Sequence, residues 1–240
     1  MTVQTKVVEY DFDGNTMEGY LALDSGHGAS LPVVIIAHAW AGQGEAERGK
    51  AVALAELGYA GFAADLYGKG RRGSNAEENQ ALMTPLLENR QQIVRGMNAA
   101  LAAARSVTGA DKKRAAAIGF CFGGLCVLDL ARSGVDIDGV VSFHGLFQPP
   151  PQPSAGIHAK VLALHGWDDP MVKPEQVVAL ARELTAAGAD WQIHAYGNTM
   201  HAFSNPDAND PGFGTVYNPI ADRRSWIGMQ NFLSELFGRS

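Results

Sequence analysis

The chain of 240 residues is short of several things that other classes of protein need. It has two cysteines, Cys121 and Cys126. Lying close together across a turn and a helix start, they are badly placed for a disulfide or a metal site, so no metal is expected. No apolar run approaches the roughly 18–20 residues that cross a bilayer, and no membrane association is expected. Residues 1–12 lack the apolar stretch of a secretory signal. Together with free thiols, this points to a reducing, cytoplasmic setting. Positive charge is scarce: 19 Lys and Arg stand against 25 Asp and Glu, a formal net charge of −6. That is the wrong sign for a general nucleic-acid footprint. Internal repeats and linkers are missing too. The Pro cluster at 149–153 is short and reads as a loop, so a single domain over 1–240 is expected.

What the chain does have is alternation. Residues 32–37 (PVVIIA) form a continuous aliphatic run, the mark of a strand buried on both faces. Further strands are expected at 59–64, 115–118, 139–143, 161–165 and 191–196. Between them lie segments at helical spacing: 45–57 stopping at Gly58, 125–131, and 175–187 ending at Gly188. A helix starts after Asn75, is interrupted or restarted near Thr84-Pro85, and continues to about residue 105, with Val94, Met97, Leu101 and Ala104 as its buried stripe. Asn218-Pro219 opens a last helix, with Pro at the first helical position. Ahead of all this, residues 6–10 and 17–23 flank Asp13-Gly14, a hairpin signal. The 28 glycines are scattered, as tight strand–helix turns require. The expectation is an α/β fold: a mostly parallel central sheet with helices on both faces and an antiparallel N-terminal hairpin.

One stretch organises the chemistry. Residues 114–130, RAAAIGFCFGGLCVLDL, read as strand, tight turn and helix, the setting of a nucleophile elbow. Gly119 and Gly123 flank Cys121 at the spacing that removes clashing Cβ atoms. The amide after the apex, that of Phe122, falls at a helix N-terminus, ready for an oxyanion. A nucleophile needs a base, and the base needs an orienting partner. In elbow hydrolases the chain order is nucleophile, acid, His. Here Trp167-Asp168-Asp169-Pro170 follows one strand and Thr199-Met200-His201 follows the next. Parallel strands deliver such loops to one edge, where ligands bind. The assignment is Cys121 as nucleophile, His201 as base and Asp169 as orienting carboxylate. Asp168 competes for the last role; Asp169-Pro170 starting the turn into the next helix favours Asp169. The loop after the strand at 32–37 offers the Trp40 amide as a second oxyanion donor. Cys126 reads as a core residue. His38, His144 and His165 also follow strands on that edge and read first as structural. The Arg71-Arg72 pair reads first as a solvated loop face.

Taken together, AAIGFCFGG, the Ala64-Asp65-Leu66-Tyr67-Gly68 loop, VVSFHG, HGWDDP, HAFSNP and ADRRSW resemble the dienelactone hydrolase family. That family belongs to the α/β hydrolases and uses Cys-Asp-His. The resemblance spans nearly the whole chain and implies the α/β-hydrolase fold. It also implies carboxylic-ester or lactone hydrolysis, of the carboxymethylenebutenolidase kind, through a thioester and without a cofactor. The partner expected is a small ester or lactone. Two departures stand out. Family members commonly carry a Glu where this chain has Ala39, and the nearest carboxylate here is Glu45. The two arginines that hold a substrate carboxylate correspond to Lys69 and Asn205. Lys69 keeps the charge without the bidentate fork, and Asn205 keeps none. A catalytically weakened binder and a redox-responsive thiol protein are the rival readings.

Overall fold

The computed structural model describes residues 2–151 and 156–238. Part of the Pro cluster at 149–153 lies outside the described residues. The chain divides into two compact units, Met1–Ile118 and Gly119–Ser240.

In the first unit, β1 (Gln4–Phe12) and β2 (Asn15–Leu23) form the expected antiparallel hairpin. Its turn has positive φ at both Asp13 and Gly14, as a two-residue hairpin with right-handed strand twist demands. Next come β3 (Leu31–Ala37), α1 (Glu45–Glu56) and β4 (Ala60–Ala63). β2 pairs antiparallel with β4, and β4 pairs parallel with β3. The order is β1-β2-β4-β3-β5, where β5 (Ala110–Phe120) runs from this unit into the next. Every residue of β3 is buried, which explains its unbroken aliphatic character.

The helical region after Asn75 differs from expectation. Asn75 caps α2 (Ala76–Glu88) by accepting a hydrogen bond from the Glu78 amide, at 3.0 Å. The helix runs through Pro85 and breaks at Asn89 instead, where φ −124° and ψ 74° leave the helical region. α3 (Arg90–Ser106) then restarts. Proline removes only its own N–H and crowds one carbonyl a turn earlier, which this helix absorbs. The buried stripe of α3 is Ile93, Gly96, Met97, Ala100, Leu101 and Ala104. Val94 lies on the margin of that stripe and is half-buried.

In the second unit, α4 (Phe122–Arg132), β6 (Gly139–Phe143), β7 (Lys160–Gly166), α5 (Pro174–Ala186) and β8 (Trp191–Tyr196) alternate. β6, β7 and β8 are parallel neighbours. The long connection after β8 contains a small antiparallel pair, β9 (Asn209–Asp210) and β10 (Thr215–Val216). α6 (Pro219–Leu236) follows, capped by Asn218, whose side chain accepts from the Ile220 and Ala221 amides at 3.1 Å. The protein is an α/β fold with mostly parallel strands and an antiparallel hairpin at its N-terminus. Among the described residues no helix is long and apolar enough to cross a membrane.

Candidate active site

Cys121 stands between β5 and α4 with φ 54° and ψ −115°. A non-glycine residue seldom occupies that region, and it stays there only where its surroundings over-determine it. Here they do. A Cβ on Gly119 would lie 2.0 Å from the Gly123 carbonyl oxygen, and one on Gly124 would lie 2.6 Å from Gly145 Cα. Only bare glycine backbone allows the turn to close this tightly. The Cys121 amide donates to the Phe143 carbonyl at 3.0 Å and to His144 Nδ1 at 3.1 Å. The Gly124 amide donates back to the Cys121 carbonyl at 3.0 Å. Cys121 is half-buried, whereas Cys126 is buried inside α4. Phe122 is the first residue of α4.

The loop after β7 supplies the carboxylate and the loop after β8 the imidazole. His201 Nδ1 lies 2.7 Å from Asp169 Oδ2, and both side chains are almost wholly buried. Asp169 is itself held, since its Oδ1 accepts from the Met171 amide at 2.8 Å. Asp168 does something else. Its Oδ2 accepts from the Thr199 amide at 3.2 Å, and its own amide donates to the Thr199 carbonyl at 3.0 Å. It thus ties the two loops together, and Asp169 is the carboxylate at the imidazole. Gly166 permits their close approach, because a Cβ there would lie 2.5 Å from the Thr199 carbonyl oxygen. His201 is also fixed through its backbone: its amide donates to the Gly214 carbonyl, and its carbonyl accepts from the Val216 amide, each at 3.0 Å.

The bond to Asp169 takes one ring nitrogen of His201, Nδ1. Nε2 is buried and makes no well-aligned hydrogen bond to the described residues. Its electrostatic neighbour is Cys121. Burial pulls the imidazole pKa down, but the Cys121 charge and the hydrogen bond that Nδ1 gives to Asp169 outweigh it, leaving the pKa raised to about 10. The raised pKa favours the imidazolium form of His201, set between Asp169 and Cys121.

Two further histidines surround this pair. His165, fully buried with its ring 5.3 Å from that of Phe147, has a lowered pKa. Burial is the main cause, aided by the His201 charge and opposed by Asp169. His144 makes the contact to the Cys121 amide described above, and its Nε2 lies 2.8 Å from Ser204 Oγ. Sequence reasoning had its position, just past a strand, but no local signal tells which partners a buried ring will find.

The remaining sequence candidates are placed as follows. Lys69, in the first unit, sends its ammonium to Glu9 at the surface. That hydrogen bond and the Glu9 charge raise its pKa. Asn205 closes a turn: its amide donates to Ala202 O at 2.9 Å and its Oδ1 accepts from the Asp207 amide at 3.1 Å. Trp40, also in the first unit, accepts from Tyr67 Oη through its carbonyl at 3.0 Å. Arg71 and Arg72 organise their own loop, donating to the Tyr67 and Arg71 carbonyls at 3.0 and 2.8 Å. Glu45 is the exposed first residue of α1 and pairs with Arg48 at 3.5 Å. The carboxylate that reaches back to the Ala39 loop is Glu47. It is buried, and it accepts from the Gly44 amide at 2.8 Å and the Ala39 amide at 3.4 Å.

A buried Asp–His pair beside a cysteine on a strained turn is shared by many hydrolases, and comparison with known proteins narrows the field. The profile described as "Dienelactone hydrolase family" matches residues 17–237. The chain belongs to the dienelactone hydrolase family. Among solved structures, it is similar to the dienelactone hydrolase-like promiscuous phosphotriesterase P91 from metagenomic libraries. The two are 34% identical with a TM-score of 0.93, over 98% of this chain and 99% of the other. The dienelactone hydrolase of Anabaena variabilis, 20% identical with a TM-score of 0.67 over 99% and 98%, shares the fold. Protein usf of Aquifex pyrophilus is 27% identical over 226 residues, 92% of this chain and 94% of that protein. An uncharacterised Caenorhabditis elegans protein is 38% identical over 149 residues, 59% of this chain and 92% of its own length.

Proposed function

We propose that this member of the family hydrolyses small carboxylic esters or lactones, with Cys121 as nucleophile, His201 as base and acid, and Asp169 as the group that orients His201. The observation that carries the reading is the 2.7 Å bond from His201 Nδ1 to buried Asp169. It fixes the tautomer and aims Nε2 at a cysteine held on a strained turn. The Cys121 thiol proton passes to His201 Nε2 and the thiolate attacks the carbonyl carbon. The oxyanion forms beside the first amides of α4, that of Phe122 foremost, where a helix presents donors and positive potential. The carbonyl–alkoxy bond then breaks, and His201 gives its proton to the departing alkoxide. In the resulting thioester the sulfur carries no charge. His201 takes a proton from water, hydroxide adds to the thioester carbonyl, and the sulfur leaves as thiolate with the acid released.

Neutral substrates fit better than acidic ones. Lys69 is committed to Glu9 and Asn205 carries no charge, so neither supplies the paired guanidinium fork that a substrate carboxylate would want. The likeness to P91, named for promiscuous phosphotriester cleavage, adds a neutral aryl phosphotriester to the substrates worth trying.

The test is a panel comprising an acidic dienelactone, neutral lactones, short-chain chromogenic esters and an aryl phosphotriester, each with wild type and Cys121→Ala. Turnover that depends on Cys121, faster on neutral than on acidic carboxylic substrates, is the expected result. Undiminished turnover in Cys121→Ala sinks the mechanism. No turnover on any substrate, with small esters still binding, favours the weakened binder.

A further inference from the structure

We infer that His144 is a positioning residue: one neutral imidazole that fastens the turn carrying Cys121 to the loop carrying His201. The inference rests on the assignment of those two residues as nucleophile and base.

His144 follows the last residue of β6 and has φ 37°, in the left-handed region that costs a branched or bulky residue most. Its amide donates to the Leu164 carbonyl at 2.8 Å, which pins the backbone while the ring is buried, at 3% exposure. Each ring nitrogen then has a defined task. The Cys121 amide can only donate, so Nδ1, at 3.1 Å, accepts and carries no proton. The proton therefore sits on Nε2 and goes to Ser204 Oγ at 2.8 Å. Ser204 is three residues beyond His201. The ring also stands edge-on to those of His201 and Phe203, with centroids 5.2 and 5.1 Å away.

A single ring thus spans from the backbone of the nucleophile to the loop of the base. Those groups come from separate loops, and an ångström of misplacement at a reacting centre can cost about 10²-fold in rate. Backbone held at φ 54° also needs compensation from its surroundings, and a second acceptor on the Cys121 amide supplies it. Protonating His144 would undo the arrangement. Nδ1–H would face the Cys121 N–H, and a second positive charge would sit beside His201. Two histidines with touching rings therefore hold different forms, one neutral and structural to the geometry, one charged and reactive.

The test uses iodoacetamide alkylation of Cys121 against pH, which needs no knowledge of the substrate, in wild type, His144→Ala and His144→Asn. Asparagine tolerates positive φ, and its Oδ1 can replace Nδ1 as acceptor for the Cys121 amide. Buried Cys126 reports on the fold by remaining unlabelled. The expected result for His144→Ala is alkylation about 10-fold slower at neutral pH, with the pH–rate profile displaced to higher pH. His144→Asn is expected to stay within about 3-fold of wild type, with the profile restored. If His144→Ala exposes Cys126, the asparagine variant is compared with His144→Gln, which lacks an acceptor at the Nδ1 position and should show the displaced profile. Rates and profiles equal to wild type in the variants that fold overturn the proposal. So does slowing without displacement, which a merely structural role would give. Wild-type Cys121 reacting no faster than free cysteine overturns the nucleophile assignment and this inference with it.

Discussion

At the scale of the residue, the proposed mechanism requires His201 to hold a proton before acylation and lose it afterwards, and its surroundings contain the means. Burial lowers its pKa, and the Cys121 charge is the first of the influences that raise it to about 10. Once the sulfur becomes a thioester that charge is gone. Burial is then opposed by Asp169 alone, and the imidazole can accept the proton of the attacking water. The same change can be made without substrate. In Cys121→Ala, the His201 ring is expected to titrate below the wild-type value of about 10, by imidazole NMR across a pH series. A ring that titrates unchanged without the thiol would mean that Asp169 alone holds the proton, and the switch on acylation would be lost.

At the scale of the element, α4 has two jobs: its N-terminus presents Cys121, the proposed nucleophile, and its C-terminal turn anchors the helix. Arg132 at that end is 3% exposed in its side chain and pairs with Asp129 at 3.2 Å and with Glu183 of α5 at 2.7 Å. It also donates to the Phe147 carbonyl at 3.3 Å. Removing one partner of a buried pair strands the other, at about 3–5 kcal/mol. Arg132→Met is expected to lose stability of about that size in urea unfolding, because it leaves Asp129 buried without its cation. A loss under about 1 kcal/mol would place the ion pair in the energetic class of surface bridges. The elements themselves were largely legible. The strand at 139–143 has the limits that its apolar run suggests, because a strand buried in a parallel sheet has little choice of composition, and the half-exposed β8 also keeps the expected limits, 191–196. The break between α2 and α3 was not legible. Pro85 is the louder signal, yet the helix ends at Asn89, where nothing in local propensity forbids continuation. In the candidate site, the pairing of Asp169 with His201 and the place of Cys121 on a tight turn were legible because each lies just past a strand. His144 and Glu47 could not be given their tasks. The partners of His144 come from loops distant in sequence; those of Glu47, the Gly44 and Ala39 amides, are near in sequence, but Glu47 in EAERGK looks like any solvated charge.

At the scale of the whole molecule, each of the two units carries a fully buried histidine whose pKa is lowered chiefly by burial: His38 in the first and His165 in the second. His38 shows why the neutral form persists. Its Nδ1 lies 2.7 Å from the Ala39 carbonyl, and its Nε2 accepts from the Leu66 amide at 3.2 Å. A second proton would have to displace the amide. For both residues the unfolded chain binds protons below its pKa of roughly 6.5 while the folded chain resists them. Stability is therefore retained above about pH 6.5 and lost as pH falls, by at most about 1.4 kcal/mol per pH unit for each residue. His201 works in the opposite sense. Its raised pKa contributes stability that is fully present below roughly 6.5 and lost only as pH rises toward about 10. The window from pH 6.5 down to 5.0 therefore isolates the buried neutral rings: those of His38 and His165 and, on the assignment made above, that of His144. In that window the urea midpoint is expected to fall steadily. His165→Leu, which replaces a titrating ring with an apolar side chain, is expected to flatten the slope by about a third, since two of three such groups remain. A wild-type midpoint that stays level from 6.5 to 5.0 would mean that the folded chain takes up these protons as readily as the unfolded one, and that burial does not keep these rings neutral.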